Sequence, residues 1–121
     1  MKLKKVKIVV EPFKEVRKRW KAALEGGKRS KTNEEIISVG SWEVLGKILS
    51  APRLKILSAI SHLKPKSIAH LAKMLEKDFK NVHSDVTFLA NLGFIFLKEK
   101  GNTRALIPIA KFYEIELPLA A

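Results

Sequence analysis

Lys80, Asn81, His83, Ser84 and Thr87 fall within eight residues, and each carries a hydrogen-bond donor, an acceptor or both. At about 100° per residue, a helix puts Lys80, Ser84, Thr87 and Asn91 on one side, with Asn81 and His83 on its shoulders. The opposite side collects Val82, Val86, Leu89 and Gly93, flanked by Phe79 and Asp85. Such a helix is braced from behind by apolar packing and offers polar side chains outward. Asn81 donates and accepts at once, which matches an adenine edge. Lys80 reaches guanine acceptors or a phosphate, and His83, Ser84 and Thr87 bond to bases or to the sugar-phosphate backbone. The alternative is an ordinary amphipathic helix with a hydrated outer face. Asp85 would be repelled by phosphates, so it is expected to bond a nearby protein donor, with cytosine recognition a minor option. Phe88 is expected to pack against a hairpin, a neighbouring element or a second subunit.

The flanking residues supply what such a helix needs. Asp78 is the expected N-cap and Gly93 the stop, since the residue past a helix end often takes a left-handed conformation. Ser67 caps a preceding helix whose Ile68, Leu71, Ala72 and Leu75 point inward. Before it, Pro52 opens a helix through Leu63, with Leu54, Ile56, Leu57 and Ile60 inside and Lys64-Pro65-Lys66 closing it. A helix capped by Ser41 carries Trp42, Leu45, Ile48 and Leu49 on an apolar side. After Gly93, Phe94 to Leu97 reads as a strand, Lys98 to Arg104 as a tip with Gly101-Asn102 turn chemistry, and Ala105 to Ile109 as the return. Two helices, a short turn and a hairpin in this order make a helix-turn-helix running into a β-wing. Lys98, Lys100 and Arg104 would touch phosphates, or Arg104 a minor groove. Lys66 and Ser67, at a helix start with free backbone N–H groups, form a second phosphate site. Lys77 joins the set from the turn. A plain solvated hairpin is the competing reading of the tip.

Upstream, Lys5 to Val10 alternates lysine and aliphatic residues, the pattern of a strand with one buried face, and lysines on the other face suit a sheet edge. Pro12 opens a helix over Phe13 to Leu24, with Phe13, Val16, Trp20, Ala23 and Leu24 on one stripe and Lys14, Arg17, Lys18 and Lys21 opposite. Gly26 to Lys31 is a basic linker. Thr32 to Glu35 forms a capping box, or Ile36-Ile37-Ser38-Val39 is extended.

The 121 residues carry a formal charge of +12, which favours polyanionic partners. Residues 1–31 hold 12 Lys and Arg against 3 Asp and Glu, so most of the excess lies there. A solubilising lysine-rich surface is the other explanation. The absence of cysteine excludes disulfides and thiolate metal sites. His62, His70 and His83 share neither a helical face nor a compact spacing, so no metal or cofactor is expected. No nucleophile elbow, phosphate loop or metalloprotease motif occurs, and no enzyme is expected. No apolar run approaches the roughly 18–20 residues that cross a bilayer, and the N-terminal apolar stretch is too short and interrupted for a signal peptide. A cytoplasmic location is expected.

Ser67 to Ala72, Asp78-Phe79-Lys80-Asn81-Val82-His83-Ser84-Asp85-Val86 and Leu92-Gly93-Phe94-Ile95 resemble MarR/ArsR-like winged-helix transcriptional regulators. They look closest to small predicted prokaryotic regulators with an Asp-aromatic-Lys-Asn-Val-His stretch, over about residues 41–110. The resemblance implies a homodimer on a pseudo-palindromic operator, usually a repressor, with some relatives antitoxin-like and binding a toxin as well. It implies Lys80, Asn81, His83 and Ser84 as groove readers and Arg104 as a wing contact. Without cysteine the chain departs from the metal-sensing branch, and without long flanking helices it departs from drug-sensing members. The segment Phe112 to Leu117 looks like a final strand, pairing with the N-terminal strand or a partner chain. The expected fold is mainly α with small β: a winged helix-turn-helix over residues 41–121, with an N-terminal strand-helix extension and linker over residues 1–40. The expected function is a sequence-specific double-stranded DNA-binding regulator. The alternatives are an antitoxin-like or assembly protein, and a non-specific architectural nucleic-acid-binding protein.

Overall fold

A computed structural model describes residues 3–10, 34–99, 101 and 105–119. The expected helix Phe13–Leu24, the Gly26–Lys31 linker and the Thr32 end of the capping box lie outside the described residues, as do Lys100 and Arg104. The chain divides into two compact units, one of residues 48–113 with the first three residues, the other of residues 4–47 and 114–121.

The larger unit contains three helices and a hairpin. Helix α2 (Ala51–Leu63) starts after Ser50, with Pro52 in its first turn, where a missing N–H costs nothing. It ends at Lys64, which turns left-handed and donates its backbone N–H to the Ile60 carbonyl. Helix α3 (Ile68–Leu75) begins at Ser67, whose hydroxyl oxygen accepts the His70 backbone N–H at 3.0 Å, as its sequence predicts. Helix α4 (Phe79–Asn91) follows a turn of three residues. The core joins one stripe from each: Ile56, Ala59 and Ile60; Ile68, Leu71 and Ala72; Val82, Val86 and Leu89. Leu71, Val86 and Leu89 are fully buried, and each such side chain contributes roughly 1.5–3 kcal/mol relative to exposure. Leu54, expected inside, is exposed. Strands β3 (Ile95–Glu99) and β4 (Leu106–Ala110) pair antiparallel, with Leu97 opposite Pro108. Phe94 and Ile95 close the core, and the Phe94 ring meets Phe112 edge to face at 6.3 Å between centroids.

The smaller unit is built on a three-stranded sheet of order β2–β1–β5, from β1 (Lys4–Val10), β2 (Glu34–Val39) and β5 (Phe112–Glu116). Strands β1 and β2 run parallel, with Val6 opposite Glu35, Ile8 opposite Ile37 and Val10 opposite Val39. Val6 and Ile8 are buried, as the alternation predicts. Strand β1 is central, however, and not the edge that its lysines suggested. Those lysines meet carboxylates instead: Lys5 Nζ lies 3.2 Å from Glu116 and 3.4 Å from Glu114, and Lys4 Nζ lies 3.8 Å from Glu35. Helix α1 (Trp42–Ile48) starts at Ser41, whose hydroxyl oxygen accepts the Val44 N–H at 3.2 Å. Only Leu45 of α1 is buried; Trp42 is half exposed.

The fold class is therefore mixed α/β, 46% helical and 30% strand among the described residues, and not mainly α. The β-branched residues Ile36, Ile37 and Val39 take the extended option. They add a strand, and β5 adds another by pairing with β1.

Candidate nucleic-acid interface

The turn into α4 is set by Glu76, which adopts φ 53° and ψ 44°. The Lys77 N–H donates to the Ala72 carbonyl at 3.0 Å and the Glu76 N–H to Lys73 at 3.2 Å, so the open carbonyls of α3 are satisfied as the chain reverses. Two residues later Asp78 takes the extended N-cap conformation, although its carboxylate makes no capping bond. At the far end Gly93 has φ 91°, and its N–H donates to Ala90 while the Phe94 N–H donates to Leu89. The stop predicted at Gly93 is present.

Between these ends, Val82, Val86 and Leu89 are buried, while Lys80, Asn81, His83 and Ser84 are exposed. Thr87 is half-buried, midway along the same polar stripe. Lys77, in the turn, is exposed beside them. One helix face thus gathers a cation, an amide, an imidazole and two hydroxyls, with a second cation in the turn before it.

Asp85 and Phe88 hold the flank. Arg53 of α2 donates from Nε to Asp85 Oδ1 at 3.1 Å, and its guanidinium lies 3.9 Å from the Phe88 ring centroid. Both members of the ion pair are about three-quarters buried at their side chains. The sequence predicted a protein donor for Asp85 without identifying it. Arg53 lies 32 residues away, and no local spacing points to it. Beside this clip a cleft of about 420 Å³ opens, lined by Lys55, Lys77 and Asn81 among others.

The remaining expected contacts are scattered. Lys66 is exposed, but its backbone N–H donates to His70 Nδ1 at 3.0 Å. The His70 N–H is taken by Ser67, so two of the backbone donors expected to be free for phosphate are engaged internally. Ser67 itself is half-buried. Lys98 is exposed on β3.

Phe79 flanks the buried face of α4, where periodicity puts it. Its angle extends the stripe of Val82 and Val86, yet it is 50% exposed. Its ring rests against His83, with centroids 5.6 Å apart and planes tilted 39°. Among the described residues no cluster of three or more His, Cys, Asp or Glu could hold a metal ion, and no helix is long and apolar enough to cross a membrane.

A family model, HVO_A0114, matches residues 48–117, from the end of α1 through β5. No curated protein matches the chain. The matched family is uncharacterised and brings no activity with it.

Proposed function

The chain belongs to the HVO_A0114 family, and we propose that it is a sequence-specific double-stranded DNA-binding regulator of transcription, with α4 in the major groove. The observation that carries this reading is the division of α4 itself. Val82, Val86 and Leu89 are buried behind, while Lys80, Asn81, His83 and Ser84 stand exposed within its first two turns, the part of such helices that meets base edges. The formal charge of +12 supports it, since phosphate neutralisation supplies much of the affinity in such complexes. Lys66, Lys77 and Lys98 would position the protein on the backbone, and Asn81 and Lys80 would specify bases. The resemblance to MarR/ArsR-like regulators extends the proposal to a cytoplasmic homodimer that represses.

Selection of bound duplexes from a random pool tests the reading. One sequence should be enriched, and its affinity should fall steeply with salt. Asn81→Ala should lose discrimination at one base pair, on the order of 1–3 kcal/mol. Equal weakening on selected and random DNA would remove Asn81 from the reading face. A pool that returns no enriched sequence would leave only non-specific binding.

A second reading rests on the smaller unit. Ile36, Trp42, Val44, Leu117 and Leu119 are exposed there, Leu119 at 82%, and apolar side chains in such number favour a protein partner. A second copy of this chain serves both readings; co-purification of an unrelated chain would favour an antitoxin-like role.

A further inference from the structure

Phe79 is the first residue of α4 and the one large apolar side chain exposed in that helix's first two turns. Its neighbours Lys77, Lys80, Asn81, His83 and Ser84 are polar and exposed. Half a phenyl ring in water forgoes apolar burial, and its helical angle offers an inward direction that it does not fully take. The ring is nevertheless placed: the His83 imidazole one turn later lies against it. An apolar contact is thus held at the leading end of a polar reading face.

Base edges in the major groove present donors and acceptors, with one exception. Thymine carries a C5-methyl group, which is read by apolar contact. Resting on the DNA-binding reading above, we propose that Phe79 is a specificity-determining residue that recognises a thymine methyl, with His83 bracing its ring. Lys80 and Asn81 read hydrogen-bonding edges at adjacent positions. The site then distinguishes thymine from cytosine at one position without a hydrogen bond there, and it distinguishes thymine from uracil, which differs by the methyl alone.

The test uses the full chain and the duplex enriched from a random pool. Each thymine is replaced singly by deoxyuridine, and binding is measured for the wild type, Phe79→Ala and Phe79→Leu. At one position the wild type should lose about three- to tenfold in affinity, the scale set by burying one methyl group. Phe79→Ala should bind the thymine and deoxyuridine duplexes equally, near the wild-type level on deoxyuridine. Phe79→Leu keeps an apolar tip and should retain part of the ratio, which preserves the test if the alanine variant folds poorly. A thymine preference that survives both substitutions overturns the proposal. So does an enriched duplex at which no methyl matters, and that result leaves the DNA-binding reading standing. If no duplex is enriched, that reading falls and the role of Phe79 falls with it. A change in oligomeric state in Phe79→Ala, with the thymine preference intact, would assign the ring to a contact between protein chains and overturn the proposal.

Discussion

Glu76 and Gly93 sit just past the ends of consecutive helices, and both have positive φ, 53° and 91°. The two residues stand differently toward that geometry. Gly93 has no Cβ to strain, and a Cβ added there would meet no heavy atom within 4 Å. The cost of Gly93→Ala is therefore backbone conformation alone, about 1–2 kcal/mol of destabilisation. Glu76 carries that strain in the native protein. Glu76→Gly should relieve it, partly offset by the greater freedom of glycine in the unfolded chain, for a net gain of about 0.5–1 kcal/mol. Urea midpoints at constant slope read both. The opposite signs are the content of the prediction; a loss of stability in Glu76→Gly would mean that the glutamate side chain makes a contact worth more than its strain.

Helix α4 depends on α2 as well as on its own ends. Arg53 combines a hydrogen-bonded ion pair to Asp85 with a stacked contact on Phe88. Together these are worth about 2–4 kcal/mol, since hydrogen bonds to charged groups contribute about 1.5–3 and partly exposed cation–π contacts about 0.5–1. Arg53→Ala should lose most of that, and Arg53→Lys should recover little, because an ammonium lacks the planar fork that serves both partners at once. Unfolding free energies of the two variants decide it; full recovery in Arg53→Lys would reduce the clip to simple charge attraction. At this scale the sequence was partly legible. The three helices around the core, their Ser67 cap, the Gly93 stop and the hairpin strands follow from periodicity and end signals, which are local. The partner of Asp85 was not legible, because it comes from another helix. Phe79 was placed beside the buried face, but its exposure was not legible, because a helical angle says which way a side chain points and not whether anything lies there to cover it. Strand β1 was read as an edge because its lysines suit one, and nothing local to it reveals that Glu35, Glu114 and Glu116 arrive from its two neighbours.

The pairing of β1 with both β2 and β5 ties segments distant in sequence into one sheet, and Lys5 marks the junction. Its pKa is raised above the ordinary 10.5 chiefly by the hydrogen bond and charge of Glu116; desolvation opposes this, and the hydrogen bond and charge of Glu114 add to the rise. A raised pKa in the folded state means that the lysine's stabilisation is fully present below about 10.5 and fades as pH climbs through the folded value. Unfolding midpoints of the wild type and Lys5→Met should therefore differ by a constant amount from pH 7 to about pH 10 and converge above it; a gap that persists at high pH would assign Lys5 a packing role only. The same sheet also orders events during synthesis. Residues 48–110 contain all three packed helices and the hairpin, so a nascent chain can assemble them with local pairings as soon as they leave the ribosome. Strand β1 emerges about a hundred residues before β5, which follows the hairpin after the single residue Lys111. Until translation delivers residues 112–116, one side of β1 has no strand to pair with, and its backbone is open to chaperones or to another nascent chain.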